Sequence, residues 1–213
     1  MIKCDSVLFD LDGTLWDTTA ALAEVWQTVL LDEPDARRTL TREDMAGVMG
    51  MTSTELMRTL FPSLSAERGR ELFDKLCIAE DDYLREHGGI LYAGLEDTLK
   101  ALSQRFPLAI ISNCGPEYIP TFFEAHGLQK YFSDWECIGR TGLSKGENIR
   151  LVAERNRLSH PVYVGDTQKD ADSAKAAGVP FLFASYGFGD VREEDYLVHL
   201  QDFRQLPSVL AGL

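Results

Sequence analysis

Positive charge is scarce in this chain of 213 residues: 21 Lys and Arg stand against 34 Asp and Glu, a formal net charge of −13. A surface for nucleic acid or for an anionic membrane needs a basic face, which so acidic a chain does not supply. Cysteine is scarce as well. Cys4, Cys77, Cys114 and Cys137 are widely spaced, which excludes a zinc knuckle or a paired-cysteine redox motif, and they read as reduced, mostly buried thiols. His87, His126, His160 and His199 are scattered and read as surface or capping residues rather than ligands. No window approaches the ~18 apolar residues that span a bilayer. Asp5, Asp10 and Asp12 interrupt the first apolar stretch, which argues against the uncharged centre of a signal peptide. Internal repeats and low-complexity segments are also lacking. The expectation is a soluble cytoplasmic protein, with monomer and homodimer both open.

What is present is an ordinary globular composition, 45% hydrophobic and 26% charged, with material for a sizeable core. Short apolar runs end abruptly in polar residues and turn chemistry: residues 6–9 run into Asp10, 108–111 into Ser112 and Asn113, 135–138 into Gly139, 162–164 into Gly165 and Asp166, and 181–183 into Ala184 and Ser185. Stretches of helical period lie between them, with Leu95, Leu99 and Leu102 on one face and Tyr118, Phe122 and Ala125 on another. Helices also fit 148–156 and 169–177, the latter stopped by Gly178 and Pro180. Alternating strands and helices, with strands apolar throughout, predict an α/β fold whose mostly parallel sheet is covered by helices on both faces.

From about Trp16 to Gly89 the pattern changes: no strand is evident and three or four helical segments follow one another. Leu22, Val25, Trp26, Val29 and Leu30 form one apolar face, and Leu72, Leu76, Ala79 and Tyr83 another. Thr41 with Asp44 resembles a capping box, and Gly88-Gly89 is a natural stop. The lone strand at 6–9 needs partners, which are found only after residue 106, so the helical stretch is an insertion rather than a separate domain in series.

In open parallel sheets ligands collect beyond the carboxyl ends of the strands. The residues there are Asp10, Asp12, Ser112, Asn113, Asp166 and Asp170, with Lys145 opening a helix that reaches the same rim. So many carboxylates in one crevice repel unless a cation joins them, and an all-oxygen donor set favours Mg2+ over Zn2+. Asp10 and Asp12 point to the same side when extended, while Gly13 lets the backbone turn. One carboxylate can then attack while its neighbour handles a proton, chemistry that suits phosphoryl transfer. Ser112 and Lys145 complete a phosphate cradle. Taken singly each residue has a plainer reading: Asp12-Gly13 is a turn signal, Asp166 and Ser112 are helix caps, and Lys145 is a surface lysine.

Asp10-Leu11-Asp12-Gly13-Thr14, then Ser112-Asn113, Lys145, and Gly165-Asp166-Thr167-Gln168-Lys169-Asp170 together resemble the four-motif set of the haloacid dehalogenase superfamily. The resemblance covers nearly the whole chain. It includes the helical insertion, which is similar to the cap of the phosphoglycolate phosphatase and β-phosphoglucomutase branch. It implies a Rossmann-like catalytic core formed by residues 1–15 and 91–213 and a helical cap formed by 16–90. It further implies Asp10 as the nucleophile that becomes an aspartyl-phosphate, and Asp12 as acid and then base. Mg2+ would be held by Asp10, the Asp12 carbonyl and Asp166, with Asp170 and Thr14 in support. Ser112, Asn113 and Lys145 would bind the substrate, a small phosphorylated metabolite.

The chain departs from the family where Gly146 follows Lys145 in place of a common proline, and where bulky Trp16 follows Leu15, shaping the pocket or packing on the cap. Residues 47–56 contain no Arg or Lys, which weakens a sugar-phosphate assignment; Arg37, Arg38, Arg42 and Arg58 read as solvated charges. A phosphomutase is the nearer rival to a phosphatase. A dehalogenase is a distant one, having no use for a second acid at Asp12. From another class, a phospho-accepting receiver module shares the acidic cluster, hydroxyl and lysine but has no such helical insertion.

Overall fold

The computed structural model describes residues 3–212. The chain opens with strand β1 (Ser6–Phe9), a two-residue strand β2 (Trp16–Asp17), and four consecutive helices, α1 (Thr19–Leu30), α2 (Arg42–Ala46), α3 (Ser53–Leu60) and α4 (Ala66–His87). It returns through β3 (Ile90–Leu91) and then alternates: α5 (Leu95–Ser103), β4 (Leu108–Ser112), α6 (Tyr118–His126), β5 (Asp134–Cys137), α7 (Ile138–Thr141), α8 (Lys145–Arg155), β6 (Pro161–Gly165), α9 (Gln168–Ala177), β7 (Phe181–Ala184), β8 (Val198–Leu200) and α10 (Leu206–Gly212). The six-stranded sheet has the order β5-β4-β1-β6-β7-β8, and every pairing in it is parallel. This is a Rossmann-like sheet with a helical cap inserted after its first strand.

Side chains alternate between the two faces of the sheet. Val7 and Phe9, Ile110, and Val162 and Val164 join one core, which runs on through α5, α6 and α10 into the cap. Leu8, Ala109, Ile111 and Tyr163 point the other way, against Ile149 and Val152 of α8 and Ala171 and Ala174 of α9. Both faces are covered, so the strands read as continuous apolar runs. Gly146 belongs to this packing: a Cβ there would lie 3.0 Å from the Ser173 carbonyl oxygen, so its lack of a side chain lets α8 approach α9.

Several expectations need correction. Trp16–Asp17 pairs antiparallel with Ile90–Leu91 and ties the two ends of the helical insertion together; two residues are too few to show a period. Strand β8 was not anticipated, being three residues with only Leu200 buried. Ile138 begins a helical turn instead of ending β5. Cys137 alone among the cysteines is buried, the other three being half-buried, and all four are free. Trp16 packs edge-on against Tyr118 and Phe122 of α6, with centroids 5.4 and 5.0 Å away, and so contacts the core. His126 is half-buried beside the same ring, not a plain surface residue.

In the cap, Thr41 does form a capping box with Asp44, and a second joins Thr52 to Glu55. The core-facing stripe of α4 is Leu72, Leu76, Glu80 and Leu84, while Ala79 and Tyr83 lie half-buried at its margin. Four-residue spacing runs through a glutamate that binary patterning passes over. Glu80 accepts a hydrogen bond from Trp26 Nε1 at 2.8 Å, which joins α4 to α1. Cap and core meet where Asn113 Nδ2 donates to the Gly50 carbonyl (3.0 Å) and Lys169 Nζ pairs with Glu55 (2.7 Å). Arg38 and Arg42 are engaged with Asp44 and Asp17. No helix among the described residues is long and apolar enough to cross a membrane.

Candidate active site

Strands β4, β1 and β6 are neighbours at the point where the chain stops building one side of the sheet and begins the other. Their carboxyl ends therefore open on one crevice. β1 delivers Asp10, whose amide donates to the Val164 carbonyl at 2.8 Å; β4 ends in Ser112; β6 ends in Gly165 and delivers Asp166. Asp10, Ser112 and Asp166 are all buried.

Two capping boxes place the remaining groups. Ser144 and Glu147 cap α8 reciprocally, which sets Lys145 on its first turn, facing inward and only 3% exposed. Thr167 and Asp170 do the same for α9. One oxygen of Asp170 accepts from the Thr167 amide and hydroxyl (3.0 and 2.6 Å), and the other accepts from Lys145 Nζ at 2.6 Å. Lys145 Nζ is also 2.9 Å from Asp10 Oδ1. The plainer reading of Asp166 as the cap of α9 fails, because Thr167 fills that position. Ser112 caps no helix either, since α6 has Glu117 as its N-cap, without a side-chain bond.

One oxygen from each of Asp10, Asp166 and Asp170 falls within 4.8 Å of the others. Asp166 Oδ2 accepts from the Phe188 amide at 2.8 Å, while its Oδ1 is buried with no partner. Glycine makes room for this acid. Gly13 has φ +76°, and a Cβ there would lie 2.1 Å from Asp166 Oδ2; at Gly187 it would lie 2.4 Å from Asp166 Cβ. Three buried carboxylates thus face a single ammonium. Burial first, and then the charge of Asp170, push Asp10 up to about 7. Burial followed by the neighbouring carboxylates raises Asp166 well above the usual range. For Lys145, burial opposes the charge, but Asp10 and Asp170 outweigh it and hold the ammonium protonated. An oxygen-only donor set with an orphaned oxygen and excess negative charge fits a hard divalent cation such as Mg2+.

The carboxylate of Asp12 stands outside this cluster. Its Oδ1 accepts from Tyr118 Oη at 2.9 Å and from Thr18 Oγ1 at 3.2 Å. Burial raises Asp12 to about 6, while the bonds from Tyr118 and Thr18 pull it down. Thr14 is buried under the loop, and its carbonyl accepts from Tyr186 Oη at 2.9 Å. Asn113 reaches the Gly50 carbonyl of the cap, and a cavity of about 70 Å³ opens beside it, Asp12 and Ser112. Sequence reasoning passed over Tyr118, Thr18, Gly187 and Glu80. Tyr118 falls within an apolar stripe and reads as core, Glu80 is a charged residue that such a stripe skips, and Gly187 lies in a loop far from the motifs it serves.

The chain is similar to known proteins. The haloacid dehalogenase-like hydrolase profile matches residues 7–184. A phosphoglycolate phosphatase of Rhodobacter capsulatus is 30% identical over 219 residues, covering 97% of each chain. One of Photobacterium profundum is 28% identical over 222 residues, covering 96% of this chain and 94% of that one. A haloacid dehalogenase-like family hydrolase of Streptococcus pneumoniae superposes with a TM-score of 0.81 at 19% identity, over 97% of this chain and 98% of that one, a likeness of fold. A receiver module is thereby set aside. On the profile match, the near-complete overlap with these relatives and the shared fold, the chain belongs to the haloacid dehalogenase-like hydrolase family and is an enzyme.

Proposed function

We propose that the protein is a Mg2+-dependent phosphatase that hydrolyses a small phosphorylated metabolite through an aspartyl-phosphate on Asp10. The observation that carries the reading is the buried group of Asp10, Asp166 and Asp170 around Lys145, in which Asp166 Oδ1 has no partner. Asp10, Asp166 and the Asp12 backbone carbonyl hold the ion, with Asp170 and Thr14 supporting the loop. When bound, Mg2+ offsets the repulsion between these carboxylates and a phosphoryl group and stabilises charge that develops there. Residues 16–90 act as the cap and residues 1–15 with 91–213 as the catalytic core.

Asp10 attacks phosphorus, and the bond to the leaving oxygen breaks. Asp12 gives that oxygen its proton, for which a value near 6 suits neutral pH. Asp12, now a carboxylate, takes a proton from the water that cleaves the aspartyl-phosphate. Lys145 and Ser112 bind the phosphoryl oxygens, and Lys145 also orients Asp10. Asn113 holds the cap down over the site, which excludes bulk water. The curated relatives named phosphoglycolate phosphatase support a phosphatase over a mutase. The purified protein is expected to hydrolyse p-nitrophenyl phosphate with Mg2+ and to lose that activity with EDTA. Asp10→Asn is expected to abolish it, and an unchanged rate in that variant defeats the nucleophile assignment.

A further inference from the structure

The cavity beside Asp12 and Ser112 lies between core and cap, where the leaving group of a phosphoester held by Ser112 and Lys145 would lie. Its walls are largely apolar: Leu22, Trp26, Met45, Met49, Met51 and Phe73 all contribute. Among the described residues no Lys, Arg or His lines it, and its two carboxyl residues are Asp12 and Glu80. The cap arginines Arg42 and Arg38 pair with Asp17 and Asp44. Lys169, on the core side, is held by Glu55. At about 70 Å³ the cavity has room for roughly five water-sized groups, the scale of a leaving group with a few heavy atoms.

Resting on the phosphatase reading above, we propose that this cavity selects a small uncharged leaving group over a carboxylated one, and that Glu80 is the residue that meets the polar atom of that group. A carboxylate entering here would lose its water between apolar walls with no cation to replace it. A hydroxyl or amide instead finds a hydrogen-bonding partner. Glu80 is buried on α4, anchored through Trp26 Nε1 at 2.8 Å, and burial pushes it up to about 8, so it presents a neutral acid to the cavity. The substrate class is therefore the phosphate ester of a small neutral alcohol, distinct from phosphoglycolate.

The test compares 2-phosphoglycolate with its isosteric amide, 2-phosphoglycolamide, using the full chain with Mg2+ and p-nitrophenyl phosphate as the control substrate. The amide is expected to have a kcat/KM about tenfold or more above that of the acid. Met49→Arg, which adds a cation to the half-buried rim, is expected to reverse or erase that preference, and Glu80→Gln to preserve it. Equal rates on the two compounds, including no turnover of either, or a preference for the acid, overturn the proposal while Asp10-dependent hydrolysis of p-nitrophenyl phosphate leaves the phosphatase reading standing. Loss of that control activity overturns both.

Discussion

Tyr118 offers a sharp test of how the general acid is tuned. Its hydroxyl donates to Asp12 Oδ1 at 2.9 Å, and its ring stacks edge-on against Trp16. Burial, and then the charge of Asp12, keep the phenol protonated far above its ordinary range, so it is a donor at every working pH. Tyr118→Phe removes that hydrogen bond, together with the 3.0 Å contact between the phenol and Thr18 Oγ1, and keeps the ring. A hydrogen bond to a charged acceptor contributes about 1.5–3 kcal/mol, and one pKa unit corresponds to about 1.4 kcal/mol. Thr18 still holds the same oxygen at 3.2 Å, so the Asp12 value is expected to rise from about 6 by roughly one unit. The sign is upward because the lost bond favoured the carboxylate. The first half-reaction needs Asp12 protonated, so the alkaline limb of kcat/KM against pH should move up by that amount. The second needs it ionised, so an acidic limb of kcat should move up as well. A uniform loss of rate with both limbs unmoved would refute tuning through this contact.

Other outcomes follow from the same geometry. Gly13→Ala puts a methyl 2.1 Å from Asp166 Oδ2 at a residue with φ +76°, so it should lose about 1–3 kcal/mol of stability and most of its Mg2+ affinity, as read by thermal unfolding and metal titration. Asp12→Asn should retain Mg2+ binding while turnover falls about 100-fold or more; lost metal binding with turnover intact would contradict the division of roles. Without metal, the folded protein keeps Asp10 and Asp166 protonated to higher pH than the unfolded chain does. Stability should therefore fall as pH rises from about 4, the ordinary Asp value, through about 7, and the stabilisation given by Mg2+ should grow over that window. A flat melting temperature between those limits would speak against burial as the cause.

The sequence by itself determined five of the six strands of the parallel sheet, the helical insertion and the residues that end β1, β4 and β6, because a strand end and its turn are written in consecutive residues. Asp10, Ser112 and Asp166 were legible for that reason, as was Lys145, set at a helix start by its own Ser144 cap. Only the tertiary structure decided who meets whom. Tyr118 reaches Asp12 across 106 positions, and Lys145 bridges Asp10 and Asp170. Gly187 makes way for Asp166 from a loop that carries no motif, and Glu80 turns inward within an apolar stripe. Local spacing fixes the direction in which a side chain leaves its own element, whereas the groups that share its cavity depend on the sheet order and on how α1 and α4 close against α6. Their burial, and hence their proton affinities and the absence of a cation around the leaving group, arise only when those surfaces come together.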